Sequence, residues 1–173
     1  MQVLVPPEFD GWPLLGQFGL RPVSPEPFVR IQSVPLALAA LERQGLAPDR
    51  ATVALRGLRA DRDMVRSAEA LCRRVRRLVV DAPGGGRELA LWLREEFGMP
   101  VLPPGEPGQV SLCFQEGCLR PEETALELYG ARPRLAGLTL SAPGLEEEDR
   151  ADLPLLAALW GGGRLGPEDI KIT

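Results

Sequence analysis

The sequence predicts an α/β fold: a three-layer, Rossmann-like β-α-β-α-β sheet, mainly parallel, that antiparallel strands extend in the C-terminal third. Short apolar runs alternate with amphipathic helical segments in the central third of the chain. Apolar and polar residues alternate after residue 109, and the charge balance changes near residue 104. The composition, 45% hydrophobic and 25% charged, is that of an ordinary globular protein.

The first 104 residues contain the elements expected in the parallel part. Residues 1–5 are assigned to a further strand of the same sheet. The central elements, in chain order, are a helix from Pro35 to the residue before Gly45, a strand over 52–56, a helix over 62–75 with Asp61 as N-cap, a strand over 78–81, a helix over 87–97 ended by Gly98, and a strand over 99–102. Strands joined by a helix pair in parallel, and short apolar runs are typical of strands covered on both faces.

The last third is predicted to consist mainly of antiparallel strands with one solvated face. The expected elements are strands over 109–115, 124–129 and 135–142, a helix from Asp152 to Trp160, and a terminal strand over 169–173. Residues 1–104 carry 14 basic and 12 acidic side chains, whereas residues 105–173 carry six and 12. Because the break between them is too short for free motion, we expect a single α/β domain over 1–173, with a parallel part (1–104) and an antiparallel β-rich part with a terminal helix (105–173).

The amino-acid counts remove several classes of mechanism. Because the sequence contains no histidine (0 His), a Ser–His or Cys–His nucleophile and a histidine-bound metal are excluded. Cys113 and Cys118 lack the two further soft ligands that structural zinc needs, so we expect no metal site at the cysteines. Three cysteines without a CxxC pair indicate a reducing compartment, and we expect a cytoplasmic protein. All basic residues except Lys171 are arginine, which is typical of GC-rich, bacterial-like coding.

The sharpest candidate site lies between the second central strand and the helix that follows it, in the run Asp81-Ala82-Pro83-Gly84-Gly85-Gly86-Arg87. Ligands of open α/β sheets bind outside the carboxyl ends of the strands. We therefore predict that Gly84, Gly85 and Gly86 hold an anion with their backbone N–H groups at the start of the helix. The run matches no nucleotide fingerprint, so no cofactor is specified. The alternative is a glycine-rich turn without a ligand.

Two arginines follow the neighbouring strand. Arg56 ends that strand and Arg59 lies in the loop after it. If the two strands are adjacent, both arginines meet Asp81 at one edge of the sheet, where an arginine pair binds phosphate or carboxylate bidentately. Asp81 would then act as an acid/base or a metal ligand. The alternative is an Arg56–Asp81 ion pair that holds the loops together.

Two further stretches bear on partners. The segment over 6–34 contains six prolines and four of the nine aromatic residues, and it either packs down, covers the sheet as a lid or forms a subunit contact, as in a homodimer. The basic run over 73–77 resembles a nucleic-acid patch, but the net charge of −4 argues against nucleic-acid binding. No apolar stretch reaches the roughly 18 residues of a membrane span, so no membrane partner is expected.

These observations favour a non-catalytic module that binds a protein partner or a small anionic ligand. The candidate ligand-binding residues are Arg56, Arg59, Asp81 and the glycine run 84–86. The alternative is an enzyme acting on a phosphate- or carboxylate-bearing small molecule, with Asp81 as the acid/base or metal ligand. No catalytic set of residues distinguishes the two, and an α/β fold by itself does not determine function.

Overall fold

The computed structural model describes residues 1–6 and 8–173 and confirms the α/β fold class. The strands are β1 (Gln2–Val3), β2 (Arg21–Pro22), β3 (Thr52–Arg56), β4 (Arg77–Asp81), β5 (Val101–Leu102), β6 (Val110–Cys113), β7 (Thr124–Glu127), β8 (Leu140–Ser141) and β9 (Lys171–Ile172). The helices are α1 (Trp12–Gln17), α2 (Glu26–Ile31), α3 (Ser33–Arg43), α4 (Arg62–Leu71), α5 (Gly86–Phe97) and α6 (Leu153–Gly161).

The central sheet of the described residues has five parallel strands in the order β5-β4-β3-β6-β7. The predicted β-α-β-α-β unit corresponds to β3, α4, β4, α5 and β5, and Asp61 caps α4 by accepting a hydrogen bond from the Met64 N–H at 2.9 Å. In the register, Arg56 of β3 lies beside Asp81 of β4 and Cys113 of β6. These three residues therefore share one face of the sheet at the end of β3.

The predicted direction of two strands was wrong. The stretches over 109–115 and 124–129 were expected to be antiparallel with one solvated face, but β6 and β7 run parallel to β3. Every residue of β6 is buried, including Ser111 and Cys113. The alternation in β6 therefore reflects two buried faces, one lined by large apolar side chains and the other by small polar ones.

The expected antiparallel pairing occurs outside the central sheet. The stretch over 135–142 shortens to β8, which pairs with the terminal strand β9 in antiparallel fashion. The prediction for residues 1–5 was wrong, because β1 joins β2 in a separate parallel pair. Short strands at the margin cannot be assigned to a sheet from their apolar content alone.

The segment over 6–34, of which Pro7 lies outside the described residues, contains more helix than expected. Both α1 and α2 carry proline within their first two positions, Pro13 and Pro27, where a missing N–H costs no helical hydrogen bond. Among the described residues before Pro25, none is buried, whereas Phe28 of α2 is 2% exposed. Packing against the core therefore begins only at α2.

A continuous apolar cluster lies between the sheet and its helices. Val53 and Leu55 of β3 point into it, and each is 0% exposed. Helix α3 packs against β6 and β7, while α5 packs against β4 and β5. Burial of one such leucine or valine side chain contributes roughly 1.5–3 kcal/mol. Within the described residues, no helix is long and apolar enough to cross a membrane.

Candidate functional site

The guanidinium of Arg56 is the centre of a buried hydrogen-bond network. Its side chain is 1% exposed, although it ends a strand at the edge where ligands usually bind. The Nε atom donates to Oε2 of Glu123 at 2.8 Å, and one terminal nitrogen donates to the other oxygen of the same carboxylate. The remaining N–H groups donate to Oδ2 of Asp81 at 2.8 Å and to the carbonyls of Pro104 and Glu106 at 3.1 and 3.0 Å. All five donors of Arg56 are thus satisfied inside the protein.

Glu123 is held as an ion despite its burial. It lies just before β7, its side chain is 0% exposed, and it also accepts a hydrogen bond from the Gly108 N–H at 2.9 Å. Burial alone would raise the pKa of this carboxyl, but the hydrogen bonds and charge of Arg56, together with the Gly108 N–H, hold the pKa below its ordinary value. The same pairing raises the pKa of Arg56 against the opposing effect of burial.

Asp81 is shared between two arginines. Its Oδ2 accepts from Arg56 at 2.8 Å and from Arg120 at 3.2 Å, and its side chain is 31% exposed. Arg120 also donates to the carbonyls of Gly105 and Pro104 at 3.1 and 3.3 Å. The ion pair expected as the alternative for Arg56 and Asp81 is therefore present. We call Arg56, Asp81, Arg120 and Glu123 the ion-pair cluster; its two positive and two negative charges cancel.

A hydrogen bond between protein groups crosses the crevice where the strand order reverses, between β3 and β6. Oε1 of Gln115 accepts from the Leu58 N–H at 2.8 Å, directly after β3. Arg30 of α2 donates to the carbonyl of Phe114 at 2.7 Å and to that of Leu128 at 3.2 Å. Phe114 follows β6 and Leu128 follows β7. Backbone groups at this end of the sheet, where ligands of open α/β sheets usually bind, are thus bonded by side chains of the protein itself.

The glycine run forms a tight turn before α5. Gly84 donates to the Leu58 carbonyl at 3.0 Å and accepts from the Ala60 N–H at 2.8 Å, and Gly86 donates to the Ala82 carbonyl at 3.0 Å. Gly85 has a φ of +82°, which favours glycine. The N–H groups of Gly84 and Gly86 therefore hold the turn, whereas the Gly85 N–H has no backbone acceptor in the described part of the chain.

Arg59 is placed beside this turn. It bridges to Gly84 in parallel fashion, and a Cβ atom added to Gly84 would lie 3.0 Å from the Cγ of Arg59. The Arg59 side chain is exposed, and within the described residues it forms no ion pair. Arg59 thus lies at the surface, whereas Arg56 is buried, so the two arginines do not share the same surroundings.

A groove of about 850 Å³ runs along α5 at the carboxyl end of β4 and β5. We call it the α5 groove; the residues that line it are Val80, Asp81, Ala82, Pro83, Gly86, Arg87, Glu88, Ala90, Leu91, Arg94, Leu102, Pro103 and Pro104. Of the candidate residues from the sequence, Asp81 and Gly86 line this groove. Arg56, Arg59, Gly84 and Gly85 are not part of its lining.

The thiols provide no activated nucleophile. Cys113 is buried, and burial raises its pKa to about 11, so its sulfur is protonated at neutral pH. Burial also raises the pKa of Cys72 and of Cys118. Across residues 1–6 and 8–173, no three Cys, Asp or Glu side chains are grouped so that they could hold a metal ion.

Arg120 and Glu123 are the functional candidates that sequence reasoning missed. Both belong to the connection between β6 and β7, to which no candidate residue was assigned from the sequence. Comparison of the chain with protein-family models and with curated proteins gave no match.

Proposed function

We propose that this protein is a non-catalytic module that binds a small anionic ligand in the α5 groove, with Arg87 as the principal cation. The observation that carries the proposal is the position of Arg87: it lines an open cavity of about 850 Å³ and has no carboxylate partner among the described ion pairs. Ligand sites in proteins are typically concave, mostly apolar, and carry a few polar groups that orient the ligand.

The charges around the groove support an anion. Asp81 lines the groove, but its charge is balanced within the ion-pair cluster by two arginines. Arg87, Glu88 and Arg94 remain without ion-pair partners in the described chain, and their sum is positive. A guanidinium next to apolar walls binds carboxylate or phosphate more strongly than one that is fully surrounded by water.

Asp81 supports a second candidate function, the enzyme. The carboxylate lines the groove and is one-third exposed, so it reaches a bound small molecule. Its Oδ2, however, already accepts hydrogen bonds from Arg56 and Arg120, so this oxygen is engaged by the protein itself. The test is a hydrolysis assay on phosphate and carboxylate esters. An ester that the wild-type protein hydrolyses and Asp81→Asn does not would favour the enzyme. Ligands that bind without turnover would favour the non-catalytic module.

The protein-partner alternative rests on the N-terminal segment. Among the described residues 1–6 and 8–34, the exposed large apolar side chains are Met1, Leu4, Leu14, Phe18 and Ile31, with Phe18 73% exposed. Sedimentation over a range of concentrations tests whether this surface joins two copies of the chain.

We also propose a cytoplasmic location. Three free thiols support it, because free thiols fit a reducing compartment.

The experiment is an amide NMR titration with inorganic phosphate and with acetate. Arg87→Gln should weaken binding by up to about fivefold, which corresponds to one partly exposed ion pair. The matched control is Arg164→Gln, because Arg164 is also exposed but lies outside the groove lining. Equal affinities of Arg87→Gln and the wild-type protein would contradict the proposal.

A further inference from the structure

Three groove residues of α5 lie on one side of the helix. Arg87, Leu91 and Arg94 are spaced at i, i+4 and i+7, and all three line the α5 groove. Seven residues of helix span about 10 Å along the axis, so the two arginines stand at opposite ends of the groove. Each end of the groove therefore carries one guanidinium.

Between the two arginines, α5 contributes Glu88, Ala90 and Leu91 to the groove lining, and the last two are apolar. Leu91 is 53% exposed and is one of the residues that line the groove. On the opposite wall the groove is lined by Leu102, Pro103 and Pro104, which carry no charge. A ligand that runs from one arginine to the other would thus contact hydrocarbon over the middle of its length.

Arg94 is fixed at its end of the groove. One terminal nitrogen donates to the carbonyl of Val101 at 2.7 Å, which holds the guanidinium against the edge strand β5. This bond leaves further N–H groups on Arg94 to donate to an anion. Among the described residues Arg94 has no carboxylate partner.

We propose that the ligand of the α5 groove is an elongated molecule with an apolar body and an anionic group at each end, as in a medium-chain α,ω-dicarboxylate. One anionic group pairs with Arg87 and the other with Arg94, while the body lies along Leu91 and Leu102. This inference rests on the proposed function, because it names the ligand class of the same site.

The structure predicts a specific order of affinity among three probes. Octanedioate has a carboxylate at each end and a body long enough to approach both arginines, octanoate has one carboxylate, and butanedioate has two that are too close together. Octanedioate should bind about fivefold more tightly than octanoate, since one more partly exposed ion pair forms. Butanedioate should bind most weakly of the three, because it leaves the apolar walls uncovered.

Variants of Arg94 distinguish the two ends. Arg94→Gln should weaken octanedioate binding about fivefold and leave octanoate binding unchanged, and Arg94→Lys should restore most of the loss. If Arg94→Gln proves unstable, Leu91→Ser gives a second test at an exposed position: it should weaken octanoate and octanedioate alike and leave phosphate unaffected. Isothermal titration at fixed ionic strength measures all of these affinities.

The possible results separate the two proposals. If octanoate binds through Arg87 and octanedioate binds no more tightly, the two-ended ligand is wrong and the anion site stands. If Arg94→Gln leaves octanedioate binding unchanged, the two-ended ligand is also wrong. If neither octanoate nor phosphate binds, the anion site itself fails and the two-ended ligand fails with it.

Discussion

Arg56 and Glu123, 67 residues apart in the chain, form an ion pair in which both side chains are almost completely excluded from water. Ion pairs of this kind contribute little net stability relative to an apolar pair, but the loss of one partner leaves an uncompensated buried charge. The pair also joins the loops before β6 and β7 to the middle of the sheet, since Arg56 bonds Pro104 and Glu106 as well.

Removal of Arg56 should destabilise the fold strongly. Arg56→Met leaves the Glu123 carboxylate without its cation, and we expect a loss of about 3–5 kcal/mol in the free energy of unfolding. Arg120→Met is the matched control, because its side chain is 32% exposed and should cost only about 0–1 kcal/mol. Urea denaturation measures both, and the double variant Arg56→Met/Glu123→Met should regain part of the loss. A loss below that of Arg120→Met would contradict the role given to Arg56.

The stability should depend on pH through Glu123. Its pKa is lowered in the folded state, so the carboxylate contributes stability above the unfolded pKa, and that contribution is lost as the pH falls through the folded value. The free energy of unfolding should therefore be flat near neutrality and fall below about pH 4.5. In Glu123→Gln this acid-dependent part should shrink. Identical pH profiles for the two proteins would show that other carboxylates cause the acid transition.

The cysteines should differ in reactivity. Burial raises the pKa of Cys113 to about 11 and excludes reagent from its sulfur, whereas Cys72 and Cys118 are only partly buried. At pH 8, iodoacetamide should label Cys72 and Cys118 before Cys113, as followed by peptide mass spectrometry. Labelling in denaturant provides the reference in which all three react alike. Early labelling of Cys113 in the native protein would refute this account of its surroundings.

Gly85 should be sensitive to substitution for a reason of backbone conformation. Its φ is +82°, and a Cβ atom there would meet only Ala60 at an ordinary 3.6 Å. Gly85→Ala should therefore cost about 1–2 kcal/mol through the left-handed conformation and not through a clash. Gly105→Ala is the control, because Gly105 has open space around its Cα and no positive φ. Thermal unfolding of both variants measures the difference, and equal melting temperatures would contradict the explanation.

The central β-α-β-α-β unit could be predicted because its signals are local. Asp61 and Gly98 mark helix ends by their own chemistry, and the short apolar runs of β3 and β4 differ in period from the helices beside them. The Arg56–Asp81 contact followed from the same signals, since adjacent parallel strands bring their last residues together.

The remainder of the site could not be predicted, because it depends on contacts between distant loops. Glu123 meets Arg56 only when β7 lies parallel to β6, and the alternation in both strands is equally compatible with an antiparallel pair. The α5 groove depends on the exposure of Leu91 beside Leu102, residues on different elements that no sequence period relates. Both features result from tertiary packing.

The most direct test of the anion site is to locate bound octanoate on the protein by amide chemical-shift mapping. The site predicts shifts concentrated at Gly86, Arg87, Leu91 and Leu102, which line the α5 groove, and weaker shifts in Arg87→Gln. A second groove of about 680 Å³, between α2 and α6 beside Trp160, provides the internal comparison. Shifts confined to that second groove, or unchanged by Arg87→Gln, would contradict an anion site on α5.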